Sequence, residues 1–145
     1  MIREAVIQDA ENISKISTNS LGYPCEAGLV MRRLLELDAG NEKVFVAVED
    51  DQVVGFVHAE LYQLLYHEDL VNVLGLAVSN DFQRKGHGKM LMRLVEAWAK
   101  EMNCAAVRLN SAANRKGAHL FYEGLGYQNT KSQKRFIKTL RRSIG

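Results

Sequence analysis

Two apolar segments joined by a tight polar turn constrain the fold of this chain more than any other feature. Residues 43–49 ("KVFVAVE") and residues 53–62 ("VVGFVHAELY") are rich in β-branched and aromatic side chains, and "DDQ" separates them. This pattern predicts a β-hairpin. The first half of the second segment is apolar at consecutive positions, which is typical of a strand covered on both faces. The second strand of the hairpin is therefore expected at the centre of a sheet, covered on both sides.

The rest of the chain alternates between strand and helix patterns. Further strands are predicted at residues 2–7, Leu70–Val78, residues 105–110 and residues 134–140. Helices are predicted after Asp9, over residues 25–37, after the basic glycine segment of residues 84–89 as far as Met102, and within residues 114–127. The order β-α-α-β-β-β-α-β-α-β, without linker or repeat, predicts one α/β domain of mixed layers over residues 1–145.

Apolar stripes indicate which face of each helix packs on the core. The second helix carries Leu29 or Val30, then Leu34 and Leu37, at helical spacing. The stripe of the third helix consists of Leu91, Leu94, Val95, Trp98 and Met102, and that of the fourth of Ala118, Phe121, Tyr122 and Leu125.

Composition excludes several classes of function. A net charge of +2 over 145 residues is too small to predict general affinity for nucleic acid or membranes, and no run approaches the roughly 18 apolar residues of a membrane span. The N-terminus lacks the pattern of a secretory signal, so a cytoplasmic protein is expected. Cys25 and Cys104 lack metal-site spacing, so reduced thiols and no metal are expected.

Residues 80–98 ("NDFQRKGHGKMLMRLVEAW") place four basic side chains and two glycines directly before an apolar helix. The first turn of a helix leaves about four N–H groups without partners, and they attract anions. Gly86 and Gly88 would let an anion approach the backbone closely. The segment predicts a phosphate site, although Leu91 replaces the third glycine of G-x-G-x-x-G and the Walker spacing is absent. A simple turn is the alternative.

Two separately spaced motifs resemble the GNAT superfamily of N-acetyltransferases. The first, "LGLAVSNDFQRKGHGKMLM", is a strand, a short loop and Q/R-x-x-G-x-G/A at the start of a helix. Its matched residues are Gln83, Arg84, Gly86 and Gly88. The second is an Asn followed by A-x-x-[FL]-Y-x-x-x-G-[FY], matched by Asn114, Ala118, Phe121, Tyr122, Gly126 and Tyr127. The resemblance implies a mixed, mostly antiparallel sheet that splays between its fourth and fifth strands, with helices on both faces.

The resemblance also implies acetyl-CoA as cosubstrate. In the family, backbone N–H groups matching residues 84–89 hold the pyrophosphate, and the pantetheine arm pairs like an extra strand with the backbone at Leu76 and Val78. The implied cofactor-binding residues are Leu76, Ala77, Val78, Gln83, Arg84, Lys85, Gly86, His87, Gly88, Lys89, Asn114 and Tyr122.

The same resemblance assigns the chemistry of acetyl transfer. Tyr122 matches the general acid that protonates the leaving thiolate, with a core aromatic as the alternative, and the N–H of Leu76 or Val78 is the expected oxyanion donor. Asn72 occupies the position where many members carry a basic Glu. His58 and Glu60 share one strand face by alternation and are the candidate bases, with a hydrogen-bonded histidine and a solvated acid as the alternatives.

The expected reaction is direct transfer in a ternary complex, without nucleophilic catalysis by Cys104. Residues 18–28 and 62–72 are expected to shape the acceptor pocket, and they carry Tyr23, Tyr62, Tyr66, Glu26, Glu68 and Asp69. A small primary amine is the predicted acceptor, and a homodimer is a further expectation from the family. The alternatives are a non-catalytic acyl-CoA sensor, a protein N-terminal or lysine acetyltransferase, and an interaction domain.

Overall fold

The fold is built on one five-stranded mixed sheet. The computed structural model describes residues 1–141, so the last four residues of the predicted domain lie outside the described part. The strands are β1 (Ile2–Glu4), β2 (Glu42–Glu49), β3 (Gln52–Tyr62), β4 (Leu70–Val78) and β5 (Ala106–Leu109), in the spatial order β1-β2-β3-β4-β5. The pairs β1–β2, β2–β3 and β3–β4 are antiparallel, and β5 is parallel to β4. The predicted mixed, mostly antiparallel sheet is confirmed.

Four α-helices accompany the sheet in the described residues. They are α1 (Ala10–Ile16), α2 (Ala27–Leu35), α3 (His87–Glu101) and α4 (Lys116–Gly124). Two compact units are present: Met1–Asn110 holds the sheet and α1–α3, and the residues from Ser111 onward hold α4. No helix within residues 1–141 is long and apolar enough to cross a membrane.

Helices pack on both faces of the sheet. On one face, Ile13 and Ile16 of α1 form a buried cluster with Phe56 of β3 and neighbouring residues of β2. On the other face lies α3, whose Leu91 comes within 3.5 Å of the position that a Cβ on Gly55 would occupy. Because side chains alternate along a strand, residues 55 and 56 point to opposite faces. The prediction that the second hairpin strand is covered on both sides is confirmed.

The helix stripes agree with the sequence at the middle of α3 and differ near its end. Leu91, Val95 and Trp98 are buried, as predicted. Met102 is 36% exposed because the helix ends at Glu101, one residue before it. Met92 is completely buried although it lies outside the predicted stripe.

The sequence left Leu29 and Val30 as alternatives for the first core-facing residue of α2, and the structure selects Val30. Val30, Leu34 and Leu37 are partly buried against the α1 cluster, whereas Leu29 is exposed.

Two predicted strands differ from the structure. The strand predicted over residues 2–7 ends at Glu4, because the carboxylate of Asp9 accepts the N–H of Val6 at 2.8 Å and turns the chain into α1. The strand predicted over residues 134–140 is wrong: no regular element forms there. Phe136 and Leu140 are almost fully exposed, so these apolar side chains of the segment are not buried.

Replacing Gly55 with alanine should destabilise the protein by about 1–3 kcal/mol through overpacking. The new Cβ would lie 3.1 Å from the carbonyl oxygen of Ala77 and 3.2 Å from a methyl group of Val78. Urea unfolding measures the change. Gly28→Ala in α2 is the matched control, because no atom lies within 4 Å of its added Cβ. The control should raise helix stability by up to about 1 kcal/mol. Equal stabilities for the two variants would contradict the close approach.

The Arg3–Asp9 pair should make stability depend on pH. Arg3 donates two hydrogen bonds, of 2.8 and 2.9 Å, to the buried carboxylate of Asp9. Burial alone would raise the pKa of Asp9, but the hydrogen bonds from Arg3 and Val6 and the Arg3 charge lower it below its ordinary value. This stabilisation is therefore complete above the unfolded-state pKa near ~4 and is lost as pH falls through the lowered folded-state pKa.

Asp9→Asn should lower the free energy of unfolding at pH 7 by about 1–3 kcal/mol, because a charge-assisted pair at a buried site is lost. The difference from the parent protein should shrink as pH falls toward about 2–3. Urea titrations across this range measure it, with the exposed Asp81→Asn as control. A difference that stays constant with pH would exclude the assigned role of the carboxylate.

Candidate active site

The sheet opens where β5 separates from β4. The two strands pair only from Leu70↔Ala106 to Val73↔Leu109. At the same point the register between β3 and β4 shifts: His58 faces Gly75, but Ala59 faces Val73. Leu74 is therefore the extra residue of a β-bulge, which bends the strand that carries it. The predicted splay between the fourth and fifth strands is observed.

Beyond the bulge, alternate peptide groups of β4 face away from β3. The N–H of Ser79 donates to the carbonyl of Val54 at 2.7 Å, which continues the antiparallel ladder past the end of β4. Bonded and non-bonded pairs alternate in such a ladder. The N–H and C=O groups of Leu76 and Val78 accordingly point to the side that β5 has left. The carbonyl of Val78 accepts a hydrogen bond from the Gln83 side chain at 3.0 Å, which agrees with this direction.

The basic glycine segment forms a turn with two positive φ angles before α3. Arg84 has φ 65°, and Gly86, with φ 88°, is the residue that caps the 15-residue helix. No side chain in residues 1–141 hydrogen-bonds to this helix end. No atom lies within 4 Å of a Cβ built on Gly86. An accessible helix N-terminus of this kind suits an anion such as a pyrophosphate, so the residues present fit the group that the sequence implies.

Two of the four basic side chains in this turn are held by Glu49 at the end of β2. His87 Nε2 lies 2.7 Å from one carboxylate oxygen, and Lys85 Nζ lies 3.4 Å from the other. The hydrogen bond from His87, followed by that from Lys85, lowers the pKa of Glu49 below its ordinary value. Lys85 also lies over the Phe82 ring, 5.0 Å from its centroid. Arg84 and Lys89 form no ion pair within the described residues.

The two candidate bases share one face but belong to separate hydrogen-bond networks. His58 Nε2 lies 2.9 Å from a carboxylate oxygen of Glu42, so the alternative of a hydrogen-bonded histidine is realised. Glu60 accepts the Asn72 side-chain N–H at 2.8 Å, and the Asn72 carbonyl accepts from Arg108 at 2.6 Å. Glu60 is half-buried and bonded rather than a freely solvated strand-end acid. Sequence reasoning did not identify Arg108 or Glu49.

Tyr122 and Asn114 belong to the unit that begins at Ser111. Tyr122 lies in α4, with its ring centroid 5.2 Å from that of Phe121 and 6.1 Å from that of Tyr127, both edge-on. Burial raises the pKa of the Tyr122 phenol, and the charge of Arg115 opposes this only in part. The phenol therefore stays protonated at neutral pH, as a general acid must. Asn114 is exposed in the segment before α4.

Cys104 and two predicted acceptor-pocket acids lie at the other end of β5. Glu68, Asp69 and Cys104 line a cavity of about 410 Å³. Burial, followed by the charge of Asp69, raises the pKa of the Cys104 thiol, which disfavours the nucleophilic thiolate. This cavity lies near the first pair of β4 and β5, Leu70↔Ala106, whereas the two strands separate after the last pair, Val73↔Leu109. The point of separation, called the mouth of the splay below, is therefore at the opposite end of the paired part of β5.

Comparison with known proteins identifies the family. The profile of the Acetyltransferase (GNAT) family matches residues 11–127, and the chain belongs to this family. The resemblance predicted from two motifs is confirmed. Human N-acetylaspartate synthetase is 33% identical over 93 residues, which are 64% of this chain and 30% of the synthetase. The chain thus spans about a third of the length of these curated relatives.

Solved structures share the fold at low sequence identity. A transcriptional regulator from Bacillus halodurans has a TM-score of 0.82 and 19% identity, with 95% of this chain and 99% of the other covered. AAC(6')-Iy, in complex with the bisubstrate analogue CoA-S-monomethyl-acetylneamine, has a TM-score of 0.80 and 20% identity, with 96% and 97% covered. A second structure of that aminoglycoside N-acetyltransferase contains CoA.

Proposed function

We propose that this protein transfers the acetyl group of acetyl-CoA to a primary amine of a small molecule, by direct transfer in a ternary complex. One observation carries the proposal: the outward-facing peptide groups of β4 lie on the strand that leads directly to the accessible N-terminus of α3. A small molecule that carries a diphosphate at one end and an extended amide arm at the other matches this pair of features. Coenzyme A is such a molecule, and AAC(6')-Iy was solved with it.

The contacts to acetyl-CoA follow from the two features. The N–H groups of His87, Gly88 and Lys89 in the first turn of α3 bind the pyrophosphate, aided by the charges of Arg84 and Lys89. The peptide groups of Leu76 and Val78 pair with the pantetheine arm as an added strand. Because the carbonyl of Val78 already accepts from Gln83, its N–H is the group left for the arm or for the developing oxyanion. Asn114 is a further proposed contact to the cofactor.

Each proposed catalytic role is assigned to a residue whose side chain has the chemistry that the role requires. Glu60 accepts the proton of the substrate ammonium, directly or through water, because one of its carboxylate oxygens makes no hydrogen bond within residues 1–141. His58 is less suited because Glu42 already binds its ring. The neutral amine then attacks the thioester carbonyl, whose oxygen accepts the N–H of Leu76 or Val78. Tyr122 donates its proton to the sulfur as the carbon–sulfur bond breaks, and the extra proton on the attacking nitrogen then passes to the phenolate, which restores Tyr122.

A small acceptor is favoured over a protein acceptor by the proteins that resemble this chain. The name of the human relative specifies an acetylated amino acid, and the bisubstrate analogue bound to AAC(6')-Iy contains an acetylated neamine. The acceptors in those names differ in charge.

Gly86→Ala should weaken acetyl-CoA binding about five- to tenfold, because a side chain at φ 88° costs roughly 1 kcal/mol and shifts the N–H groups of the turn. Isothermal titration calorimetry measures the dissociation constant. Gly22→Ala is the matched control: its φ is 83° and its added Cβ also meets no atom within 4 Å. The control should lose similar stability and keep its affinity. Equal affinities for acetyl-CoA in both variants would show that the turn is not part of the cofactor site.

Tyr122→Phe should lower kcat about 100-fold, because the thiolate then leaves without a proton donor. Release of free CoA thiol against a panel of amines measures turnover, and the dissociation constant for acetyl-CoA should stay within about twofold as the internal control. Unchanged kcat would assign the phenol to packing. A protein that binds acetyl-CoA but releases no thiol with any amine would be a sensor, and one that does not bind it would refute the proposed function.

A further inference from the structure

A polar ladder crosses three strands at the mouth of the splay. Glu60 of β3 faces Asn72 of β4, and Asn72 faces Arg108 of β5 in register. The next pair on the β5 side, Val73↔Leu109, is the last before the strands separate. All three side chains are half-buried, so they are partly shielded yet still reachable by a ligand.

The amide of Asn72 separates two opposite charges instead of letting them neutralise each other. Its N–H donates to Glu60 at 2.8 Å, and its carbonyl accepts from Arg108 at 2.6 Å. The two bonds fix the amide in one orientation, because a flipped amide would lose both. A carboxylate and a guanidinium are thereby held at a spacing set by one carboxamide and two hydrogen bonds.

The guanidinium is held in place while part of it stays available. Tyr62 lies against Arg108, with the guanidinium carbon 5.0 Å from the ring centroid, and Asn110 accepts from it at 3.0 Å. Arginine carries five N–H donors, and the bonds to Asn72 and Asn110 use two of them. No other side chain or backbone group in residues 1–141 accepts from it. A planar guanidinium with free donors is the preferred partner of a carboxylate.

The ladder lies on the sheet face opposite α3. Glu60 lies four positions after Phe56 on β3, so both side chains are on the face that α1 covers. His58 lies between them on that face, with its Nε2 2.9 Å from a carboxylate oxygen of Glu42. The charged groups of the ladder itself are the carboxylate of Glu60 and the guanidinium of Arg108.

We infer that the acceptor is a zwitterionic amine, with its ammonium group against Glu60 and a carboxylate against Arg108. The inference rests on the proposed function and names its substrate class: a short amino acid rather than a polycationic amine. A polyamine or aminoglycoside would place further positive charge near Arg108, where like charges repel. The amino acid places each charge opposite its complement, and Glu60 then removes the ammonium proton before attack.

Matched acceptors test this assignment with the full chain. Aspartate, β-alanine and glycine are each compared with the corresponding amino acid amide, using acetyl-CoA and thiol release. The parent protein should prefer the free acid of at least one pair by about tenfold or more in kcat/KM. Arg108→Gln should lower kcat/KM for that acid about 10- to 100-fold, since a charge-assisted hydrogen bond is lost, and should leave the amide within about threefold. Arg108→Lys should lie between the two.

Arg93→Gln is the control variant, because Arg93 lies on α3, bound to Glu96 at 2.7 Å, and has no place in the ladder. It should leave the ratio of acid to amide unchanged. An equal loss on acid and amide in Arg108→Gln would make Arg108 structural and overturn the inference, as would a parent protein that prefers amides or aminoglycosides. Either of these results would overturn the inference about the acceptor but would not contradict the proposed acetyl transfer. Failure to bind acetyl-CoA, or to acetylate any amine, overturns the proposed function and the inference together.

Discussion

The site depends on a mismatch in the pairing of β4. Its antiparallel ladder with β3 runs along the strand, but its parallel ladder with β5 stops after four pairs. A peptide group that loses its partner inside a protein needs another one, because an unsatisfied backbone group is costly. The bulge at Leu74 starts the bend, and the close approach at Gly55 keeps the far half of β4 against β3 and α3. The separation of β5 therefore leaves the outward-facing peptide groups of Leu76 and Val78 without a partner strand, which suits the extended arm of the proposed cofactor.

Charge is distributed so that the two ends of the site differ. At the turn before α3, Glu49 offsets part of the positive charge by holding Lys85 and His87, so the helix end and its backbone N–H groups provide the more direct attraction for an anion. At the mouth of the splay, Glu60 and Arg108 are kept apart by a neutral amide. One end thus suits a diphosphate, and the other suits a ligand that carries both signs of charge.

The sequence was most informative where structure depends on local periodicity. The hairpin, the β4–loop–α3 segment and the buried side of α3 around Leu91 followed from alternation, glycine placement and helical spacing. Contacts between distant residues were not predictable in this way: Glu49 meets His87 across 38 positions, and Asn72 meets Arg108 across 36. The strand expected at residues 134–140 had the right pattern, but a strand also needs a partner, which propensity cannot supply. Glu60 was found by alternation, whereas the amide that orients it was read only as a missing base.

The proposed contacts to acetyl-CoA are made mostly by main-chain atoms, and this has a consequence for how the sequence can change. Every amino acid except proline offers the same N–H and C=O groups, so under the proposed function the side chains at positions 76 and 78 could change without loss of the cofactor contacts. This half of the proposed site therefore depends on backbone shape, and the fold is shared with solved structures at TM-scores of 0.80 to 0.82 and only 19–20% identity. In the proposed site the acceptor is held by side chains such as Glu60 and Arg108, so a few substitutions there would change the preferred amine without altering the backbone contacts to the cofactor.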